Sequence, residues 1–329
     1  MRKAQIISSG SYAPEQIIPN SYFDEKLGVN VSDWLEEVVK IKERRWTTPE
    51  QATSDLCVEA AKKCLGRVDI SAKDIDLIIV ATDTPDFISP STASVVQHKI
   101  GADNAGTFDV NTACAGFVTA LDMASKYIAA DSAYRNILVF GAYAMSKYLN
   151  MNDKKTVTLF ADGAGCVLLQ ATEEEGKGFI ASELRSMGQY NGYMGIYGGG
   201  TAHPITQSTL DHNDQKLKFV HKFPPELNPE VWSDMTRNLN KATKVTSQEV
   251  DMYFVTQINI NSIWETMDLL NVPREKAHTI MHYYGYTGSA CIPMAFDDAI
   301  DKKLVGPGDL VYFIGSGGGL AFASAAFRL

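Results

Sequence analysis

The stretch Lys73-Asp74-Ile75-Asp76-Leu77-Ile78-Ile79-Val80-Ala81-Thr82 decides the fold, because it recurs later in the chain. Its counterpart is Gln248-Glu249-Val250-Asp251-Met252-Tyr253-Phe254-Val255-Thr256-Gln257, at an offset of 175 residues. Each copy ends in an uninterrupted apolar run bounded by polar residues. Such a run predicts a β-strand that is buried on both faces.

Two more pairs of segments repeat in the same order at nearly the same spacing. They are Ala120–Ala124 (ALDMA) with Ala295–Ala299 (AFDDA), and Arg135–Gly141 (RNILVFG) with Asp309–Gly315 (DLVYFIG). The period is too long for a solenoid repeat, so it indicates a duplicated α/β domain. Because strands and helices alternate in each copy, we expect mainly parallel sheets with helices on both faces, stacked as five layers.

The duplication divides the chain into two predicted halves, residues 1–172 and 173–329. The copies differ most between residues 178 and 244, a polar segment that contains Gly, His and Pro residues. We predict that this segment is an insertion that folds over the entrance of an active site, since long loops carry function.

Composition limits the class of protein. The chain has 329 residues, of which 45% are hydrophobic and 21% charged, as in an ordinary globular protein. A net charge of −9 argues against nucleic acid or an anionic membrane as the main partner. Neither a signal peptide nor an apolar run of about 20 residues is present, so we expect a cytoplasmic protein.

The five cysteines are odd in number and scattered, without a C-x-x-C pair. This pattern predicts reduced thiols and no structural metal.

Among the five cysteines, Cys114 is distinctive. The residues before it are typical of a strand, whereas apolar residues recur after it at helical spacing, at Phe117, Val118, Leu121, Ala124 and Ile128.

Cys114 is therefore predicted to lie at a strand-to-helix turn. A helix N-terminus favours the thiolate, so the thiol there is expected to ionise easily and to act as a nucleophile. The turn alone leaves open a purely structural cysteine, since free cysteines are among the most often buried residues.

Two glycine-rich stretches follow predicted strands. Gly315-Ser316-Gly317-Gly318-Gly319 precedes a strand and lacks a following Gly-Lys-Ser/Thr, so it does not read as a nucleotide loop. A tight turn there can direct backbone N–H groups at a reacting carbonyl, or it can be an ordinary hairpin. Phe160-Ala161-Asp162-Gly163-Ala164-Gly165 is predicted to join two strands as a turn.

A basic cluster lies beside two tryptophans. It comprises Lys40, Lys42, Arg44 and Arg45, near Trp34 and Trp46. Two interpretations stay open: a solvated charged surface, or a phosphate site next to an aromatic ring on which a base stacks.

The motifs together resemble those of the β-ketoacyl-acyl carrier protein synthase III family, in the thiolase superfamily. The likeness extends over nearly the whole chain and rests on Asp109–Phe117 (DVNTACAGF), Phe160–Gly165 and the C-terminal glycine loop. It implies an α/β thiolase-like fold and a homodimer. It also implies that Cys114 takes an acyl group from coenzyme A and that malonyl-acyl carrier protein then lengthens it with loss of carbon dioxide.

The resemblance also assigns roles to other residues. The backbone N–H of Cys114 and that of a glycine such as Gly317 or Gly318 would form the oxyanion hole. Trp34 would stack on the adenine of coenzyme A, which is a substrate and not a bound cofactor. Lys154 and Asn259 are further predicted contacts for coenzyme A.

Two departures from the family affect catalysis. The histidine of its His-Gln-Ala-Asn motif is replaced by Thr256, and the asparagine of its Gly-Asn-Thr-Ser motif is replaced by Tyr286. Each replacement can still donate one hydrogen bond. Val38 stands where the family has an arginine, and His282 is predicted to be structural.

Three functions therefore compete. The first is a condensing synthase with an altered site, and the second is an acyltransferase or thioester hydrolase that keeps the acyl-cysteine step. The third is a non-catalytic partner of a competent homologue. Because Cys114 is retained and both donors are replaced, we favour acyl transfer and leave decarboxylative condensation open.

Overall fold

The first half of the chain builds one sheet and its outer helices. The computed structural model describes residues 2–329. The elements in chain order are β1 (Lys3–Tyr12), β2 (Gln16–Pro19), α1 (Asn20–Leu27), α2 (Ser32–Trp34), β3 (Glu43–Trp46), α3 (Thr53–Leu65), β4 (Leu77–Ala81), α4 (Thr92–Ile100), β5 (Gly106–Val110), α5 (Gly116–Ala130), β6 (Asn136–Ala144), α6 (Lys154–Val157) and β7 (Asp162–Thr172). A π-helical turn, Leu35–Val39, extends α2.

The second half repeats this plan with additions. Its elements are β8 (Gly178–Ser186), β9 (Met194–Gly195), α7 (Gln207–Asp211), β10 (Lys218–Phe219), α8 (Leu227–Thr243), β11 (Met252–Val255), α9 (Ile260–Leu269), α10 (Met281–Tyr284), α11 (Cys291–Asp301), β12 (Leu310–Gly317) and β13 (Ala321–Arg328).

The sheets stack in the predicted five layers. The first sheet has the order β1-β7-β6-β4-β5, and the second has the order β11-β12-β13-β8. Helices α5 and α11 lie between the sheets, α3 and α4 cover the outer face of the first, and α8 covers the outer face of the second with α9 beside it. This arrangement is the thiolase-like fold that the sequence predicts.

The repeated apolar runs form buried strands: β4 lies between β6 and β5, and β11 is the edge strand of the second sheet. In β4, Ile78 and Val80 pack toward α3 and α4, whereas Leu77, Ile79 and Ala81 pack toward the middle layer. Since successive side chains of a strand point to opposite faces, a strand covered on both faces needs an unbroken apolar sequence.

The sheets are mainly parallel in strand direction, as predicted, but each contains one strand, β7 or β13, that runs opposite to the others. Only β4 with β5, β4 with β6 and β11 with β12 are parallel, whereas β7 and β13 run antiparallel to their neighbours. A parallel pair needs a long crossover connection. A short loop joins β12 to β13, so that pair is antiparallel. The connection from β6 to β7 is longer, with a 3₁₀ turn (Met145–Tyr148) and the one-turn helix α6, and it also reverses the chain.

Two local predictions also need correction. The segment 178–244 begins with β8, which pairs with β13, and ends with α8, so only residues 187–226 lie outside the repeated layers. Asp162–Gly165 is not a turn between strands but the start of β7. The buried Asp162 carboxylate accepts hydrogen bonds from the backbone N–H groups of Thr47 (2.7 Å) and Ser146 (2.8 Å).

Candidate active site

Cys114 lies on a sharp turn between β5 and α5, as the sequence predicts. The residue before it, Ala113, has a positive φ of 46°, and its N–H donates to Asn111 Oδ1 at 3.0 Å. Helix α5 starts at Gly116, where a Cβ would lie only 3.0 Å from Ala81 Cβ. The glycine therefore lets the start of α5 approach β4 closely and holds Cys114 at the carboxyl edge of the sheet.

The surroundings of Cys114 keep its thiol protonated, which corrects the expectation of an easily ionised thiol. Burial raises the pKa of Cys114 well above its usual value, and the nearby charge of Asp83 raises it further. A hydrogen bond with the Tyr286 phenol and the N–H of Cys114 itself oppose this rise. Desolvation of the charged form outweighs these donors.

The glycine loop after β12 lies against Cys114. A Cβ at Gly317 would lie 2.5 Å from the backbone nitrogen of Cys114 and 2.9 Å from that of Ala115, so a side chain does not fit there. Gly317 and Gly318 line the same small cavity as Cys114. The predicted partners for a developing oxyanion are therefore neighbours in the structure.

Tyr286 is buried beside Cys114. Its N–H donates to the Leu159 carbonyl and its carbonyl accepts from the Ala161 N–H, each at 2.9 Å. Its ring lies 5.3 Å from the ring of Phe160. Burial raises the pKa of Tyr286 well above its usual value, so the phenol is a neutral donor at physiological pH.

Thr256 follows β11 and is buried, but it does not line the Cys114 cavity. Its hydroxyl donates to the Ser316 carbonyl oxygen at 3.3 Å and accepts from the Ser316 N–H at 2.9 Å. The structure thus brings Cys114, Gly317, Gly318 and Tyr286 together and leaves Thr256 behind the glycine loop.

A larger cavity of about 540 Å³ lies beside the small one of about 70 Å³ that Cys114 lines. Five residues line both cavities: Phe219, Phe223, Pro224, Asn228 and Ile258. Three of them belong to segment 187–226, which therefore contributes walls to both cavities. The two cavities are therefore neighbours that share walls beside Cys114.

The predicted contacts for coenzyme A are only partly at this entrance. Trp34 and Asn259 line the larger cavity, and the Trp34 side chain is half exposed. Asn259 also caps α9 by accepting from the Asn261 N–H at 3.0 Å. Lys154 is exposed at the start of α6 and is not in the lining, whereas its neighbour Lys155 is.

The basic cluster is not one phosphate site. Arg44 is fully buried and donates to the Ile18 carbonyl, Asn20 Oδ1 and the Thr158 carbonyl at 2.7–3.1 Å. Burial lowers the pKa of Arg44 to about 9. This arginine stabilises the fold instead of facing the cavity.

Comparison with known proteins decides the family. The sequence pattern of 3-oxoacyl-[acyl-carrier-protein] synthase III matches residues 108–188, and that of its C-terminal part matches residues 240–329. The β-ketoacyl-[acyl-carrier-protein] synthase III of Natranaerobius thermophilus is 36% identical over 100% of both chains. That of Caldanaerobacter subterraneus subsp. tengcongensis is 35% identical over 99% of this chain and 97% of its own.

This chain belongs to the 3-oxoacyl-[acyl-carrier-protein] synthase III family. Its fold agrees, since the crystal structure of 3-oxoacyl-[acyl-carrier-protein] synthase III from Aquifex aeolicus superposes with a TM-score of 0.89 over 99% of this chain and 100% of that one, at 29% identity. Family membership makes the chain an enzyme of the acyl-transferring and condensing class.

The structure of this synthase III family member also shows residues near the site that the sequence did not predict. Asn228 lines both cavities, and His221 and Lys222 line the entrance. The charge of Asp83, which lines neither cavity, raises the pKa of the Cys114 thiol. Of these residues, only Asp83 could have been suggested by the sequence. It follows the carboxyl end of β4, and β4 is the neighbour of β5, the strand that leads to Cys114.

Two absences concern the described residues alone. Within residues 2–329 no three His, Cys, Asp or Glu side chains are grouped closely enough to hold a metal ion. No helix in that range is both long and apolar enough to cross a membrane.

His282, predicted to be structural, has its Nδ1 3.0 Å from the Lys40 carbonyl oxygen.

Proposed function

We propose that Cys114 accepts an acyl group from a coenzyme A or acyl carrier thioester and passes it to an acceptor. The observation that supports this most is that the cavity lined by Cys114, Gly317 and Gly318 adjoins the larger cavity lined by Trp34 and shares walls with it. A slender thioester fits such adjoining cavities, and its carbonyl would meet the backbone donors beside the sulfur.

Acylation is a thioester exchange that these groups can perform. The Cys114 sulfur attacks the carbonyl carbon, and the new oxyanion accepts hydrogen bonds from backbone N–H groups, which act most strongly where water is excluded. The carbon–sulfur bond to the donor then breaks, and the departing thiolate takes the proton that the Cys114 thiol loses. No further reactant is needed.

Decarboxylative condensation has weaker support in this site. The resemblance assigns stabilisation of the enolate to two side chains, and here Thr256 is bonded to Ser316 while Tyr286 is bonded to Cys114. We therefore propose that acyl transfer is retained and that condensation onto malonyl-acyl carrier protein is slow. Family membership keeps condensation as the second candidate.

Incubation with acyl-coenzyme A thioesters, followed by mass spectrometry of the intact protein, tests the proposal. We expect one added acyl mass on the wild-type protein and none on Cys114→Ala. Cys291→Ala is the matched control, since Cys291 is also buried near a helix start and burial raises its pKa to about 12. Acylation of Cys114→Ala would contradict the proposal.

We also propose a homodimer. Strand β5 is an edge of the first sheet, and the loop after β4 exposes two large apolar side chains, Phe87 (55%) and Ile88 (91%). Unpaired edges and exposed apolar residues favour association with another chain.

A further inference from the structure

A short two-stranded ribbon lies at the nucleophile. It consists of β9 and β10, in which Met194 pairs with Phe219. Both residues line the small cavity that Cys114 lines. The ribbon belongs to segment 187–226, which lies outside the repeated layers and completes neither sheet. It is therefore part of the site and not of the framework.

Contacts on two sides hold this ribbon in place. Just before β10, the Leu217 N–H donates to the Tyr148 carbonyl at 2.8 Å, which ties the ribbon to the connection between β6 and β7. The glycine loop lies on its other side, since a Cβ at Gly318 would be 3.3 Å from the Met194 carbonyl oxygen. The side chains that the ribbon carries are therefore held in fixed places.

The Phe219 ring is backed by other rings. It lies 6.3 Å from the ring of Phe160, which in turn lies 5.3 Å from the ring of Tyr286. Phe160 and Tyr286 are fully buried. Because protein interiors are close-packed, the Phe219 ring cannot move toward these neighbours without displacing them. Phe219 is thus a rigid part of the cavity wall.

Phe219 also lies at the boundary between the two cavities. It lines both the small cavity and the larger one beside it, whereas Met194 and Tyr286 line only the small one. An acyl group on Cys114 begins one bond from the sulfur, and Cys114 is only 2% exposed. The acyl group therefore has to begin in the small cavity, against the wall that Phe219 helps to form.

The volume of the small cavity is about 70 Å³. A cavity of about 150 Å³ holds benzene, which has six carbons, so the space beside Cys114 is enough for about three carbons. Most of the side chains that line it are apolar. Such a cavity suits a short hydrocarbon group.

We propose that Phe219 sets the size of the acyl group that Cys114 accepts, and that it limits this group to a short alkyl acyl of about three carbons. The inference rests on the proposed acyl transfer and names its substrate class. In this arrangement the acyl group occupies the small cavity, the arm of the donor occupies the larger one, and the Phe219 ring separates them. Carbons beyond the limit meet the ring, and overpacking a close-packed site costs free energy.

Straight-chain coenzyme A thioesters from acetyl to octanoyl test the proposal, because they share one donor arm and differ only in acyl length. We expect acetyl and propionyl to acylate Cys114 at similar rates. Hexanoyl and octanoyl should react at least about 100-fold more slowly, since one methylene too many in a pocket already costs about 10-fold or more. Time-resolved mass spectrometry of the intact protein measures each rate.

Substitutions at Phe219 should move the limit in both directions. Phe219→Ala adds the volume of the ring to the cavity, so it should accelerate acylation by hexanoyl at least about 10-fold and leave the acetyl rate within about threefold. Phe219→Trp should slow propionyl more than acetyl. Phe219→Leu is a milder change and should give an intermediate limit, which keeps the test available if the alanine variant does not fold.

Phe179→Ala is the matched control. Like Phe219, Phe179 is partly buried against the main core, but its ring packs at 5.5 Å from that of Phe327 and it lines neither cavity. We expect this variant to leave the ratio of the hexanoyl and acetyl rates unchanged. A loss of stability lowers all rates together, whereas a residue that sets acyl size changes their ratio.

The outcomes separate this inference from the proposed function. Equal rates across the series, or a ratio that neither Phe219→Ala nor Phe219→Leu changes, would overturn the inference and leave acyl transfer intact. An equal change of the ratio in Phe179→Ala would also overturn it, since the effect would not be specific to the cavity. If no thioester of the series acylates Cys114, the proposed function fails and the inference fails with it.

Discussion

The hydroxyl group of Thr256 is bonded to both backbone groups of Ser316, donating to the carbonyl oxygen at 3.3 Å and accepting from the N–H at 2.9 Å. Thr256 thereby fastens the end of β11 to the strand that carries the glycine loop. Because a hydroxyl has a single proton to donate, this side chain is not free to bind a substrate oxygen.

Restoring the two donors of the family should favour condensation. We expect Thr256→His with Tyr286→Asn to raise carbon dioxide release from malonyl thioester by about 10²-fold, the usual effect of a well-placed donor, with a smaller effect on acylation. Each single variant should help less, since the two donors act on one oxygen. Radiolabelled malonyl substrate measures the release. Rapid release of carbon dioxide by the unaltered protein would contradict the proposal that its condensation is slow.

A side chain at Gly317 should stop acylation. The Cβ of Gly317→Ala would meet the backbone of Cys114 at 2.5 Å, so the loop or the turn must shift. We expect the acylation rate to fall by about 10²-fold, as for loss of one oxyanion donor. Gly188→Ala is the control, because no atom lies within 4 Å of a Cβ there. Normal acylation of Gly317→Ala would remove this loop from the oxyanion site.

Removing the charge of Asp83 should make Cys114 more reactive. The groups that act on its thiol include Asp83, Tyr286 and Cys291, and the ionised carboxylate raises the thiol pKa. Asp83→Asn should lower that pKa, so alkylation by iodoacetamide at a fixed pH near 8 should be several-fold faster. The pH profile of alkylation, compared with that of Asp103→Asn, which changes an exposed aspartate before β5, measures the shift. An unchanged profile would contradict the proximity of the two groups.

The same substitution should also change the pH dependence of stability. Burial raises the pKa of Asp83 to about 6, so the native state holds this proton more tightly than the unfolded state. The contribution of Asp83 to the free energy of unfolding therefore falls as the pH rises from about 4 to about 6. Asp83→Asn should stabilise the protein more at pH 7.5 than at pH 4, as urea unfolding would measure. An equal change in the free energy of unfolding at both pH values would contradict a raised pKa of Asp83.

The proposed homodimer predicts a sedimentation mass of two 36.0-kDa chains at micromolar concentration. Ile88→Asp should weaken the dimer, because it places a charge in a contact expected to be apolar. Leu304→Asp alters an exposed leucine after α11, and it should have no effect. A wild-type monomer would remove the support for this assembly.

Much of the architecture could be predicted from local patterns. The duplicated runs around Leu77–Ala81 and Met252–Val255 are buried strands, and Cys114 lies between β5 and α5. These predictions succeeded because a strand buried on both faces and an amphipathic helix each need a characteristic spacing of apolar residues. The reversed direction of β7 and β13 was not predicted, since it depends on where the connections run and not on the strands themselves.

The sequence by itself determined the family, the five layers and the position of Cys114 at a strand-to-helix turn, because these follow from periodicity and from motifs that are continuous in the chain. Only the tertiary structure decided what surrounds the nucleophile. It buried Arg44 in the core, bonded Thr256 to Ser316, and placed Gly317 and Tyr286 beside Cys114. Burial and the field of neighbouring charges arise between residues far apart in the chain, so no local pattern records them.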